Sequence, residues 1–193
     1  MKGRGRVSFL LPLLTLLSSC TLGGDFGRLL QGNADHRGGR YEAAAAAYLS
    51  VRSPSLRAIA DYDLANSWAR LGEDRAAEAL YATALTEGDA RLRHDAFFNR
   101  AVLSFERGRF EAAYRDFKEA LRLDAADSEA RLSLEVAWRA WQKEGRAVPN
   151  SLSLSGPSGA SGSREEFRLL RRLETGTWRP AALPNPSSSA RDF

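Results

Sequence analysis

Between residues 25 and 143, apolar side chains recur at spacings of three and four, the pattern of amphipathic helices that bury one face. Turn glycines and a Ser53-Pro54-Ser55 junction interrupt the pattern, which predicts helical hairpins over about 25–52, 56–88 and 92–123. Asp124 to Asp127 breaks the chain, and Ser128 is placed to N-cap one further helix through Trp141. That helix carries Leu132, Leu134, Ala137, Trp138 and Trp141, with Glu135 where a following helix would need a small residue. Residues 128–143 therefore read as a terminal cap over the last apolar face, with Trp138 and Trp141 as packing residues. The fold class expected is all-α. Residues 144–163, rich in Ser, Gly and Pro, form a linker with too little apolar surface for a core. Residues 164–178 then read as a short amphipathic helix ending at a Trp, opened by a capping box at Ser163 and Glu166, and 179–193 as a disordered tail.

The helical region repeats itself. Gly39-Arg40-Tyr41-Glu42-Ala43-Ala44 and Gly108-Arg109-Phe110-Glu111-Ala112-Ala113 match closely, each followed by an aromatic, Tyr48 or Phe117, at the same offset. A weaker copy runs from Gly72 through Ala76-Ala77 to Tyr81, so the glycines stand 33 and 36 residues apart. Small residues let two helices approach closely, aromatics fill the space between hairpins, and a glycine can close the turn with positive φ. In the second copy the slots are filled by Leu64, Ala65, Trp68, Gly72, Ala77, Tyr81 and Ala84. In the third they are filled by Phe97, Ala101, Gly108, Ala113, Phe117 and Ala120. The first copy has Gly32, Gly39, Ala44, Tyr48 and Val51. Period and slots resemble tetratricopeptide repeats. The resemblance implies a solenoid of about three repeats, at 25–57, 58–91 and 94–127, with the cap at 128–143. The sequence departs from the pattern at Arg100, Ser104 and Asp35, and Asp89 and Ala125 stand where a closing Pro is usual.

The chain opens differently. Lys2, Arg4 and Arg6 precede an apolar run over 7–17, which is shorter than the roughly 20 residues that span a bilayer. Basic, apolar and then small residues make residues 1–19 an expected export signal. Leu17-Ser18-Ser19-Cys20 resembles the bacterial lipobox, which implies diacylglycerol on the Cys20 sulfur and cleavage before it, leaving 20–24 as a lipidated N-terminus. Cys20 is the only cysteine. Several acyl chains would hold the protein firmly at the periplasmic face of an inner or outer membrane.

Composition narrows the function further. Lys and Arg number 28 against 24 Asp and Glu, a net +4, and three of those cations lie in the leader, so the remainder carries only +1. A nearly neutral chain lacks the long-range field that gathers nucleic acid. No phosphate-binding or dinucleotide glycine motif is present, and His36 and His94 lack a second metal ligand at a useful spacing. The expectation is a non-enzyme with no cofactor beyond the covalent lipid, no metal and no small-molecule substrate.

In tetratricopeptide proteins the first helix of each repeat lines a concave groove. The resemblance places Leu29, Asn33 and His36 there from the first copy, and Tyr62, Asp63, Asn66 and Arg70 from the second. The third contributes Phe98, Asn99, Val102 and Phe105. Asn33, Asn66 and Asn99 can pair with the backbone of an extended peptide, while Tyr62, Phe98 and Phe105 offer apolar area. Lys118 and Lys143, the lysines beyond the leader, fall outside groove slots, which argues against the family's carboxylate-clamp type. Phe167, Leu170, Trp178 and Phe193 mark the tail as a docking peptide, for a partner or for its own solenoid. Phe98-Asn99-Arg100-Ala101, the 132–137 segment and the Asp-aromatic end also resemble the repeat proteins of Bat aerotolerance operons. That resemblance implies von Willebrand A-domain membrane proteins and a MoxR-type ATPase as partners. The expected function is a lipid-anchored interaction scaffold of the cell envelope. The alternatives are an accessory lipoprotein of outer-membrane or cell-wall assembly or secretion and, last, an enzyme or its regulatory subunit.

Overall fold

A computed structural model describes residues 24–146 together with 179 and 181. The expected signal, Cys20, the 147–163 portion of the linker, the short helix and the docking residues Phe167, Leu170, Trp178 and Phe193 lie outside the described residues. The described chain is all-α, with seven helices: α1 (Asp25–Arg37), α2 (Tyr41–Leu49), α3 (Pro54–Leu71), α4 (Asp74–Glu87), α5 (Ala90–Glu106), α6 (Phe110–Leu123) and α7 (Ser128–Arg146).

Each odd-numbered helix from α1 to α5 packs against the even-numbered helix that follows it, α1 also meets α3 and α3 meets α5, and α7 covers α6. Helices α1, α3 and α5 thus share one layer. The three hairpin turns share one geometry. Gly39, Gly72 and Gly108 have φ of 73°, 82° and 72°. The next N–H reaches back five residues each time, Arg40 to the Asp35 carbonyl, Glu73 to Trp68 and Arg109 to Ser104, at 2.8–2.9 Å. A left-handed residue followed by a six-to-one bond satisfies carbonyls that the helix end would leave orphaned, and it favours glycine.

Three apolar clusters follow the hairpins. Tyr48, Tyr81 and Phe117 are buried at corresponding places, each beside fully buried alanines: Ala44, then Ala77 and Ala84, then Ala113 and Ala120. The first hairpin is the least regular, because α2 has 9 residues against 14 in α4 and α6. The departures from the repeat pattern are compensated locally. Arg100 makes a two-pronged ion pair with Asp116 at 2.7 Å and lies over the Phe97 ring. Asp35 accepts from Arg40 across the first turn.

Capping differs from the sequence expectation at α7. Asp127, not Ser128, is the cap, its Oδ1 accepting from the N–H groups of Glu129 and Ala130 at 2.9 and 3.0 Å. A carboxylate is both a strong acceptor and a favourable charge at a helix N-terminus. The helix turns Ala130, Ser133, Val136 and Ala137 inward, while Trp138, 40% exposed, and Trp141 gather around Tyr114. Asp89, at the missing proline, caps α5 by accepting from the Leu92 N–H at 2.8 Å. Replacing it, Asp89→Ala, is expected to lower stability by about 1 kcal/mol, read as a shift in the urea midpoint at unchanged slope.

Candidate functional site

The candidate residues lie on one layer, but most are not free for a partner. Leu29, Asn33, His36, Tyr62, Asp63, Asn66, Phe98, Asn99 and Val102 are all buried; Phe105 is half-buried and Arg70 exposed. Their polar groups join the helices to each other. The His36 ring lies 2.9 Å from the Ser67 hydroxyl, between α1 and α3. Asn99 donates to the Tyr62 oxygen at 2.6 Å and to Asn66 Oδ1 at 2.9 Å, between α5 and α3.

The three asparagines do not play one role. Tyr48 donates to Asn33 Oδ1 and Tyr81 to Asn66 Oδ1, each at 2.6 Å within its own hairpin. Counted from the turn glycines, the third-copy counterpart of that pair is Val102 with Phe117, so both members of the polar pair are replaced by apolar residues. Asn99 stands three residues earlier, at the register of Asp63. The step from 33 to 36 residues between glycines hides this, because Asn33, Asn66 and Asn99 are themselves evenly spaced.

Onto this layer the structure places two residues of the tail. The Arg179 carbonyl accepts from the Tyr62 hydroxyl at 2.5 Å, and Asn99 Nδ2, whose two hydrogens go to Tyr62 and Asn66, lies 3.4 Å from it. The Ala181 N–H donates to Asp63 Oδ1 at 3.3 Å, and Ala181 is buried in the cluster that holds Tyr62, Tyr81 and Leu92. The Arg179 side chain enters an acidic pocket. Its guanidinium donates to Asp127 Oδ2 at 2.8 Å and to Glu129 Oε2 at 3.0 Å, with Asp95 at 3.9 Å. The Phe98 ring forms the floor, 3.4 Å from the guanidinium carbon. His94 lies 3.0 Å from Asp95 and 3.1 Å from Asp127, between the two carboxylates. Residues 179 and 181, expected to belong to a disordered tail, are thus held by both backbone and side chain.

The electrostatics follow from burial. Asp63 is fully buried, which pushes its carboxyl up to about 8 despite the hydrogen bond from the Ala181 N–H and the nearby Asn66 amide. Burial also opposes ionisation of Asp127, but Arg179 and the Ala130 and Glu129 amides outweigh it and hold that carboxyl below its usual range. One end of the site is therefore a neutral acceptor at neutral pH and the other a fixed anion. Burial lowers His36 to about 4, reinforced by the Arg70 charge, so its ring is neutral too.

Asp95, Asp127, Glu129 and Arg179 were not among the residues expected from the sequence. The acids come from α5, a loop and α7, and no local spacing joins them. The available signal was weak: a cap-like Asp127 and an arginine just after Trp178. Among the described residues no group of three or more His, Cys, Asp or Glu is arranged to hold a metal ion. No helix among them is long and apolar enough to cross a membrane. A second cleft lies at the far ends of α3 and α5, between Arg70, Glu106, Phe110 and Ala140. Compared with known proteins, the chain matches no family model and no curated protein.

Proposed function

We propose that this protein is a non-catalytic, lipid-anchored scaffold of the bacterial cell envelope, built from tetratricopeptide-type hairpins, that binds an extended segment of a partner protein across α3 and α5. One observation carries the reading: Tyr62, oriented by Asn99, and Asp63 hydrogen-bond the backbone of residues 179 and 181, which is how a peptide groove grips a chain independently of most of its side chains. The lipobox-like Leu17-Ser18-Ser19-Cys20 supports the membrane address. Cell-envelope proteins are the partner class this implies, and the Bat-like segments point among them to von Willebrand A-domain membrane proteins.

The test is a cross-linked pull-down of the intact protein from its native membrane, analysed by mass spectrometry, beside Asn99→Ala and Cys20→Ser proteins. An envelope protein recovered with the wild type and depleted at least about fivefold with Asn99→Ala is expected. The Cys20→Ser protein should carry no palmitate label. Equal recovery of every partner with Asn99→Ala would remove the groove from the reading.

A further inference from the structure

The grip on the tail is selective as well as general, and it describes a ligand. From the sites that hold Arg179 and Ala181 we infer that the pocket of Asp95, Asp127, Glu129 and Phe98 is a guanidinium-recognition subsite for a partner's arginine-bearing extended peptide, and that this chain's own Arg179-Pro180-Ala181 segment is an internal competitor for it. The inference rests on the peptide-binding reading above and deepens it by naming the ligand's chemistry.

Each part of the site constrains one feature of the ligand. Two carboxylates at 2.8 and 3.0 Å bond different terminal nitrogens of one guanidinium, which fits the planar fork of arginine. The aromatic floor at 3.4 Å adds a stacking surface that a compact ammonium uses less well. Side chains on Arg179 and Asp127 are only 20% and 10% exposed, so the pair is largely withdrawn from solvent and its geometry matters. The Tyr62 hydroxyl, itself held by Asn99, fixes the carbonyl of the arginine. Asp63 then takes the N–H two residues on, and there the buried Ala181 leaves room for a small side chain only. The intervening residue in this chain is proline, which has no N–H to satisfy and restricts the residue before it to extended backbone. The ligand class is therefore arginine, any residue, then a small residue, in an extended chain.

The competitor is covalently attached. Residues 147–178 connect it to α7, and a tethered segment of this kind acts at an effective concentration on the order of 1 mM. A partner peptide of micromolar affinity must compete against that, so the bound tail sets a threshold for engagement.

The experiment measures fluorescence anisotropy of a labelled peptide copying residues 174–186 with the full-length protein, wild type and Arg179→Ala, both checked for helicity by circular dichroism. The Arg179→Ala protein is expected to bind the peptide at least about 10-fold more tightly than wild type. Exchanging the peptide's arginine for lysine, or its Ala181 equivalent for leucine, should each weaken that binding at least about 10-fold. In the Arg179→Ala background, Asp127→Asn should do the same while keeping an asparagine able to cap α7. No binding by Arg179→Ala, or equal binding of the lysine peptide, would overturn the inference. A wild-type dimer that Arg179→Ala abolishes would also overturn it, by assigning the tail to a second copy. If the peptide fails but the membrane pull-down still shows an Asn99-dependent partner, the scaffold reading stands and the arginine specificity falls. If both fail, both fall.

Discussion

An Asp63→Asn protein is expected to be more stable than wild type at neutral pH, by about 2 kcal/mol or a rise of roughly 5–10 °C in Tm. The native carboxyl keeps its proton up to about pH 8, whereas an unburied aspartate titrates near 3.8. Between those values the native state holds a proton that the unfolded chain has released, so unfolding becomes easier as pH rises through this window and levels off above it. The linkage alone amounts to on the order of 4 kcal/mol at pH 7, and part of the gain is offset because the new amide also needs a partner in a dry site. Asparagine still offers an oxygen to the Ala181 N–H, so the tail contact is retained. Denaturant unfolding of both proteins from pH 4 to 9 checks this. Their other titrating groups are shared, so the difference between the two profiles should grow from about pH 4 and flatten beyond about 8. His36 acts in the opposite sense in each protein: with its native value near 4, it contributes stability above pH 6.5 that is lost as the pH falls toward 4. A difference that does not change with pH would mean Asp63 is ionised in the native state.

Gly32→Ala is the second large effect, and its sign opposes the usual helix rule. Alanine in a helix interior is ordinarily favoured over glycine by about 1 kcal/mol. Here a Cβ at position 32 would stand 2.4 Å from the Tyr48 ring, far inside contact distance. Tyr48 is fully buried and its hydroxyl donates to Asn33, so the ring cannot swing away without giving up both packing and that bond. Overpacking of this kind costs typically 1–3 kcal/mol, and leaving Asn33 Oδ1 buried without its donor adds about 1–3 more. The net expectation is a loss of about 2–3 kcal/mol, seen as a lower urea midpoint. Combining it with Tyr48→Leu tests the cause: the smaller side chain should make the added methyl nearly neutral, giving a double-mutant coupling above about 1 kcal/mol. Strict additivity would place the cost elsewhere than in the Gly32–Tyr48 contact. At the corresponding places α3 and α5 carry Ala65 and Ala101, both fully buried, so those hairpins accommodate the methyl that Tyr48 excludes from the first.

Much of the architecture was legible because its causes are local. Helical periodicity, three turn glycines and the small-aromatic pattern of each hairpin act within about 35 residues, and the hairpins of the structure fall where that pattern put them. The α7 cap was misplaced by one residue, from Ser128 to Asp127, because both types are good N-caps and only the helix geometry chooses between them. The candidate site was legible in part. Register placed Tyr62, Asp63, Phe98 and Asn99 on one layer, and the structure brings all four to the tail segment. It could not show that Asn33 and Asn66 are engaged within their own hairpins, since that depends on where Tyr48 and Tyr81 place their hydroxyls.

The chain by itself determined the all-α class, the hairpin order and the turn positions, because backbone propensity and apolar spacing are short-range properties of the sequence. What Asp95, Asp127, Glu129 and Arg179 do depends instead on how the helices pack. Those four residues are separated by up to 84 positions, and neither an ion pair nor the fit of a guanidinium over Phe98 exists until helix packing sets their distances. Burial has the same origin: Asp63 holds its proton only because packed helices keep water away from it.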